Sequence, residues 1–250
     1  MGVRIYRPES SEPLPILVYA HGGGFVFCDL DSHDGLCRNL ANSIPAVVVS
    51  VGYRLAPPEH RWPTAAEDVC AATLWAAAHA AELGGDPSRI AVGGGDSAGG
   101  NLAAVTTLMA RDRDSVDIAA QLLLYPVMAA DFDTESYRRY GRGYYNPRPA
   151  LQWYWDQYVP AVEDRRHPYA SPLQADLTGL PPAVVVLAGH DPLRDEGFAY
   201  ADALAAAGGT PTTRCSFEGG IHGFMTMPML DLAHRARREA ARSLGELLRR

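Results

Sequence analysis

The sequence contains no lysine; all 22 of its basic residues are arginine. Codon bias explains that better than function does. The formal net charge is −7, and no dense basic block occurs before the tail, so nucleic acid is not expected as a partner. No run of 18 apolar residues exists, so stable membrane insertion is not expected. The start, MGVRIYRPESSEPLP, lacks the apolar core of a secretory signal, and Tyr6 stands where a myristoylation signal requires Ser or Thr. The four cysteines show no CxxC spacing and read as reduced thiols of a cytoplasmic protein. The eight histidines form neither HxH nor HExxH, so no metal site is expected. A Walker loop is excluded by the absence of Gly-Lys-Ser/Thr.

What is present is enough for a sizeable core: 250 residues, 47% of them hydrophobic. Short runs rich in Val, Ile and Leu predict strands at 14–20, 46–51, 89–93, 119–125 and 183–188. Weaker candidates lie at 2–6, on an edge, and at 212–217. Helical candidates fall between them at 33–43, 64–83, 99–111, 197–207 and 231–249. Such alternation predicts an α/β domain over 1–250, with a mostly parallel central sheet and helices on both faces. Residues 127–182 break the rhythm. They hold Tyr144, Tyr145, Trp153, Tyr154, Trp155 and Tyr158 and show no strand pattern, which suits a cap-like insertion, a wall of the binding site or a peripheral helix pair. The last helix carries Arg235, Arg237, Arg238, Arg242, Arg249 and, beyond it, Arg250 beside a leucine and alanine stripe, as a surface helix would.

The stretch GGGDSAGGNLA, residues 93–103, follows a predicted strand and opens a predicted helix. Gly93, Gly95 and Ala98 fit a dinucleotide fingerprint, but the next strand ends in Tyr125-Pro126 with no acid for a ribose. Gly95-Asp96-Ser97-Ala98-Gly99 fits G-x-S-x-G, in which a serine caps a sharp strand-to-helix turn and small neighbours let strand and helix approach. A serine nucleophile needs a base, an acid to orient that base, and donors for the oxyanion. His222 follows the last strand candidate, and Asp191 follows the strand 183–188. Taken alone, each has a bland reading, as a surface histidine and as a turn aspartate. Together they keep the order Ser…Asp…His, each at the carboxyl end of a strand. His21-Gly22-Gly23-Gly24-Phe25 follows the strand 14–20 and can turn backbone N–H groups inward.

With these motifs the chain resembles the hormone-sensitive lipase-like family of α/β-hydrolases. HGGGF (21–25), YRLAPPEHRWPTAAED (53–68), GDSAGGNLA (95–103), HPYASPL (167–173), DLTGLPPAVV (176–185), DPLRDEG (191–197) and IHGF (221–224) keep the family's order along nearly the whole chain. The resemblance implies an α/β-hydrolase fold and a serine carboxylesterase acting on short- to medium-chain esters through an acyl-enzyme. It implies Ser97 as nucleophile, Asp191 as orienting acid and His222 as base. Oxyanion donors would be the N–H groups of Gly23, Gly24 and Ala98, with no cofactor and no metal. His21 would hold the glycine loop, Asp96 would support the site, and Asp195, Glu196 and Glu218 are rival carboxylates. The family allows a homodimer. Members usually carry a cap segment ahead of the first strands, whereas this sequence starts almost at the first strand, so either a reduced cap with a more open pocket or a truncated form is expected. The extra proline in Ala56-Pro57-Pro58-Glu59-His60, and His190, also depart from the family pattern. The same triad would serve an amide, formamide or carbamate hydrolase. A non-catalytic ligand-binding member of the fold is disfavoured because His222 is present. Since the base must be neutral, activity is expected to rise past about pH 6 to 7.

Overall fold

Uninterrupted apolar runs form strands that are buried on both faces. In a computed structural model describing residues 1–249, these runs are β2 (Leu14–Ala20), β3 (Val47–Gly52), β4 (Gly85–Ser97), β5 (Ala120–Pro126) and β6 (Ala183–His190). Every residue of β2 and β5 is buried. β1 (Gly2–Tyr6) and β7 (Thr212–Ile221) close the two edges, giving the order β1-β3-β2-β4-β5-β6-β7. Only β1 is antiparallel, paired to β3. All other ladders are parallel, so β2 and β4 to β7 end on the same side of the sheet. Arg250 lies outside the described residues.

Alternate residues of each strand serve opposite faces. Leu17, Tyr19, Val48, Leu122, Leu124, Val184 and Val186 pack with α1 (Asp34–Ser43) and α8 (Asp231–Leu247). Ile16, Val18, Val47, Val49 and Ile90 pack with α2 (Thr64–Ala78) and α4 (Ala98–Asp112), while Leu123, Val185 and Leu187 pack with α4 and α7 (Arg194–Ala206). Apolar burial on this scale, at roughly 25 cal/mol per Å², is what holds the layers together. Among the described residues no helix is long and apolar enough to cross a membrane.

One feature differs from the sequence expectation. The helix expected over 64–83 is two: α2 ends at Ala78 and α3 spans Ala80–Leu83. His79 leaves helical geometry at φ −108°, its ring stacks on Trp75, and its Nδ1 lies 2.9 Å from the Trp75 carbonyl. Gly84, in the left-handed region, then ends α3. The segment 127–182 holds α5 (Glu135–Tyr140) and α6 (Arg148–Tyr158) and no strand. Thr134 caps α5 by accepting the Tyr137 N–H, and Pro149 sits in the first turn of α6, where its missing donor costs nothing. The segment is pinned to the sheet layer by Asn101 of α4, whose amide donates to the carbonyls of Val127 and Ala170.

Candidate active site

The parallel register gathers the carboxyl ends of β2, β4, β6 and β7, and with them Ser97, Asp191, His222 and the glycine loop. Ser97 ends β4 with φ +67° and ψ −110°, a conformation that L residues rarely adopt. The close approach behind it depends on Gly99, where a Cβ would collide with the Ala20 carbonyl oxygen and lie 2.8 Å from that of His21. Because α4 starts at Ala98, the Ala98 N–H has no partner within the helix, and the positive end of the helix lies next to Ser97.

Asp191 follows β6 and is wholly buried. Its Oδ1 accepts the Leu193 N–H at 2.9 Å, and its Oδ2 lies 2.7 Å from His222 Nδ1. That contact fixes the tautomer: Nδ1 donates to the carboxylate, which leaves Nε2 as the free basic nitrogen. Burial pushes the His222 imidazole down, but the charge and hydrogen bond of Asp191, with the charge of Asp96 added, outweigh it and raise its pKa above the ordinary value. Ser97 and His222 open on the same cavity without a hydrogen bond between their side chains. The Tyr125 ring packs edge-on against His222 at 5.2 Å.

The glycine loop is shaped by positive φ at Gly23 (+108°) and Gly24 (+57°). A side chain at Gly23 would meet the Phe27 backbone, and one at Gly24 would lie 2.5 Å from the Tyr154 ring. The Gly23 carbonyl turns away to accept the N–H groups of Val26 and Phe27. Among the described residues the N–H groups of Gly23 and Gly24 have no acceptor, leaving them free for an anion. His21 stacks on Tyr53 at 4.2 Å, and the Tyr53 hydroxyl donates to the His21 carbonyl. Burial drives the His21 pKa down to about 4, so it is a neutral brace of the loop.

The rival carboxylates are engaged elsewhere. Asp195 accepts the Ser136 N–H, Glu196 accepts the Met128 N–H, and Glu218 is exposed. Burial pushes the Glu196 carboxyl well above its ordinary range. His190 does not reach into the site either: it stacks on Tyr144 and meets Tyr140 edge-on. The Pro57–Pro58 peptide is cis. The aromatic segment 144–158 divides rather than forming one wall. Tyr145 and Tyr154 line the cavity with Phe27. Trp155 and Tyr158 are buried beneath it, and Tyr158 stacks on Phe25 at 3.8 Å. Trp153 is exposed. The cavity encloses about 360 Å³.

Three contributors escaped the sequence reading: His33, which pairs with Asp96 at 2.8 Å; Asn101, which ties α4 to the insertion; and Tyr125, against His222. Asn101 lay inside a quoted motif, but nothing in its spacing gave a role. The chemistry available is nucleophilic attack by a serine at a strained turn, beside a histidine oriented by a buried carboxylate and free N–H donors.

A family model for the alpha/beta hydrolase fold matches residues 17–226. The chain is 46% identical over 211 residues to the carboxylesterase NlhH of Mycobacterium tuberculosis, an alignment covering 82% of this chain and 66% of that protein. With the ethyl acetate hydrolase of Pseudomonas putida it shares 41% identity over 230 residues, covering 90% and 71%. Among solved structures, the hyperthermophilic esterase of the archaeon Pyrobaculum calidifontis matches with a TM-score of 0.94 at 44% identity, covering 98% of this chain and 81% of that one. The chain thus spans about two thirds of the length of the first of these relatives.

Proposed function

The chain belongs to the hormone-sensitive lipase-like family of α/β-hydrolases, and from that premise we propose that it is a serine carboxylesterase for short- to medium-chain esters. The observation that carries the reading is His222, held by the buried Asp191 at 2.7 Å, opening on the same cavity as the strained Ser97. In this mechanism His222 Nε2 takes the Ser97 proton as Oγ attacks the ester carbonyl. The N–H groups of Gly23, Gly24 and Ala98 hold the oxyanion. Protonated His222 gives its proton to the leaving alcohol, and water then repeats the sequence on the acyl-enzyme.

A cavity near the lower end of the roughly 300–1,000 Å³ common for small-molecule sites supports small acyl groups against Tyr145, Tyr154 and Phe27. Residues 127–182 act as a cap-like insertion in a single domain, held by Asn101 and Glu196. Four cysteines without disulfide partners suit a cytoplasmic enzyme.

Hydrolysis of p-nitrophenyl esters from acetate to palmitate, measured for the wild type beside Ser97→Ala, tests the reading. The wild type is expected to be fastest on the short esters, and the substitution to abolish turnover. Turnover that survives in Ser97→Ala, or a folded wild type inert on every ester, overturns it.

A further inference from the structure

A second histidine–carboxylate pair lies next to the nucleophile. His33 stands at the entry to α1 and is 4% exposed. Its Nε2 lies 2.8 Å from Oδ1 of Asp96, the residue before Ser97, and both residues open on the cavity that holds Ser97 and His222. Its Nδ1 lies 3.0 Å from Ser32 Oγ.

Proton counting sets the state of this pair. The Ser32 hydroxyl has one proton, and its Oγ lies 2.8 Å from the Asp29 carbonyl, which can only accept. Oγ also accepts the Asp29 N–H. The shorter contact assigns the hydroxyl proton to Asp29, which leaves His33 Nδ1 as the donor to Ser32. An ionised carboxylate only accepts, so His33 Nε2 donates as well. Burial opposes the charge on Asp96, yet the hydrogen bond and charge of His33 hold its carboxyl below the ordinary range. The same carboxylate is wedged against the glycine loop, where a Cβ on Gly22 would collide with it.

We propose that His33 is a positioning residue for hydrolysis at Ser97: as an imidazolium it cancels the Asp96 charge beside the nascent oxyanion and holds that carboxylate against the glycine loop. The inference rests on the serine-esterase reading of the site. Uncancelled, Asp96 opposes the oxyanion in a poorly screened pocket and draws a proton onto His222.

Other titratable groups do not substitute for His33. His222 faces Asp191 from β6, Asp96 from β4 and the Tyr125 ring from β5. Asp96 is also faced by Tyr19 of β2, Tyr53 after β3, and Cys28 and His21 of the glycine loop. Burial keeps the tyrosines and the thiol protonated and neutral, and His21 deprotonated and neutral, near pH 7. Arg237 of α8 faces Tyr125 and Tyr19.

The test is the pH profile of kcat/KM on p-nitrophenyl acetate for the wild type, His33→Gln, Asp96→Asn and the double variant. Gln keeps a donor for Asp96 but carries no charge. In His33→Gln the acid limb is expected to move up by about one pH unit and kcat to fall about tenfold. Adding Asp96→Asn returns the limb to the wild-type position or below and recovers part of kcat. An unmoved limb in His33→Gln, or no return in the double variant, overturns the proposal. Should His33→Gln fail to fold, the wild type decides: ¹⁵N spectra are expected to show a proton on both His33 ring nitrogens at pH 7, and a singly protonated ring overturns it. Ser97→Ala runs in parallel. Turnover surviving there sinks the esterase reading itself, whereas Ser97-dependent turnover with an unmoved His33→Gln profile sinks only the role of His33.

Discussion

His222 works at a compromise between two opposing environments. Burial favours the neutral ring, and Asp191 favours the charged one and wins. The proposed mechanism needs the neutral ring, so activity is expected to fall as pH drops through the raised pKa, with the acid limb of kcat/KM above the ordinary imidazole value of about 6.5. Stability runs the other way. The ion pair contributes fully below about 6.5, and its contribution is lost as pH rises through the raised value. Asp191→Asn removes the charge that chiefly raises His222 and leaves burial opposed mainly by Asp96, so the limb of the residual activity is expected to move down. kcat is expected to fall on the order of 10⁴-fold, the cost seen when an orienting acid is replaced in such triads. A pH–rate series on both proteins checks both shifts. At this scale Ser97, Asp191 and His222 were legible because order and strand ends constrain them jointly. His33 was not legible: its partner is 63 residues away, and only tertiary folding brings the two together.

At the scale of elements, the site depends on how closely α4 lies against β2. In Gly99→Ala the new methyl meets backbone oxygens of Ala20 and His21 that cannot swing aside. A cost of about 3 kcal/mol is expected, which in a chain of this size lowers Tm by roughly 6–12 °C. A thermal melt reads it, with a matching loss of esterase activity. The stack of Tyr158 on Phe25 joins α6 to the glycine loop. Tyr158→Ala is expected to cost about 3–5 kcal/mol, as loss of a buried aromatic does. Tyr158→Phe is expected to be neutral or stabilising, because the buried Tyr158 hydroxyl has no hydrogen-bond partner among the described residues. Urea melts of the two variants separate ring from hydroxyl. The five inner strands were legible because burial on both faces leaves an unbroken apolar run, whereas the half-exposed edge strands β1 and β7 left only weak signals. The ends of the helices were less so. The break at His79 is made by a side chain bonding back to the Trp75 carbonyl, and no periodicity records that.

Across the whole molecule, two helical layers enclose one sheet, and the cavity lies over the strand ends between that sheet and the insertion. The alternation of elements made this architecture readable. The division of residues 144–158 into cavity-facing, buried and exposed aromatics was not, because it depends on where α6 comes to rest. One element also sets when the proposed chemistry can first run as the chain gains its structure. Every residue of α4 from Ala98 to Ala110 is buried, and its opening turn carries Gly99 and Gly100, which favour a coil. Such a helix gains little by forming alone and forms only when the sheet and α2 are there to receive it. Ser97 reaches its strained conformation at that moment and not before. After dilution from denaturant, hydrolytic activity is therefore expected to return in the slowest phase of tryptophan fluorescence, reported by the buried Trp155, and after most of the far-ultraviolet helical signal. Activity that appears ahead of that phase would mean that the nucleophile turn forms as a local unit.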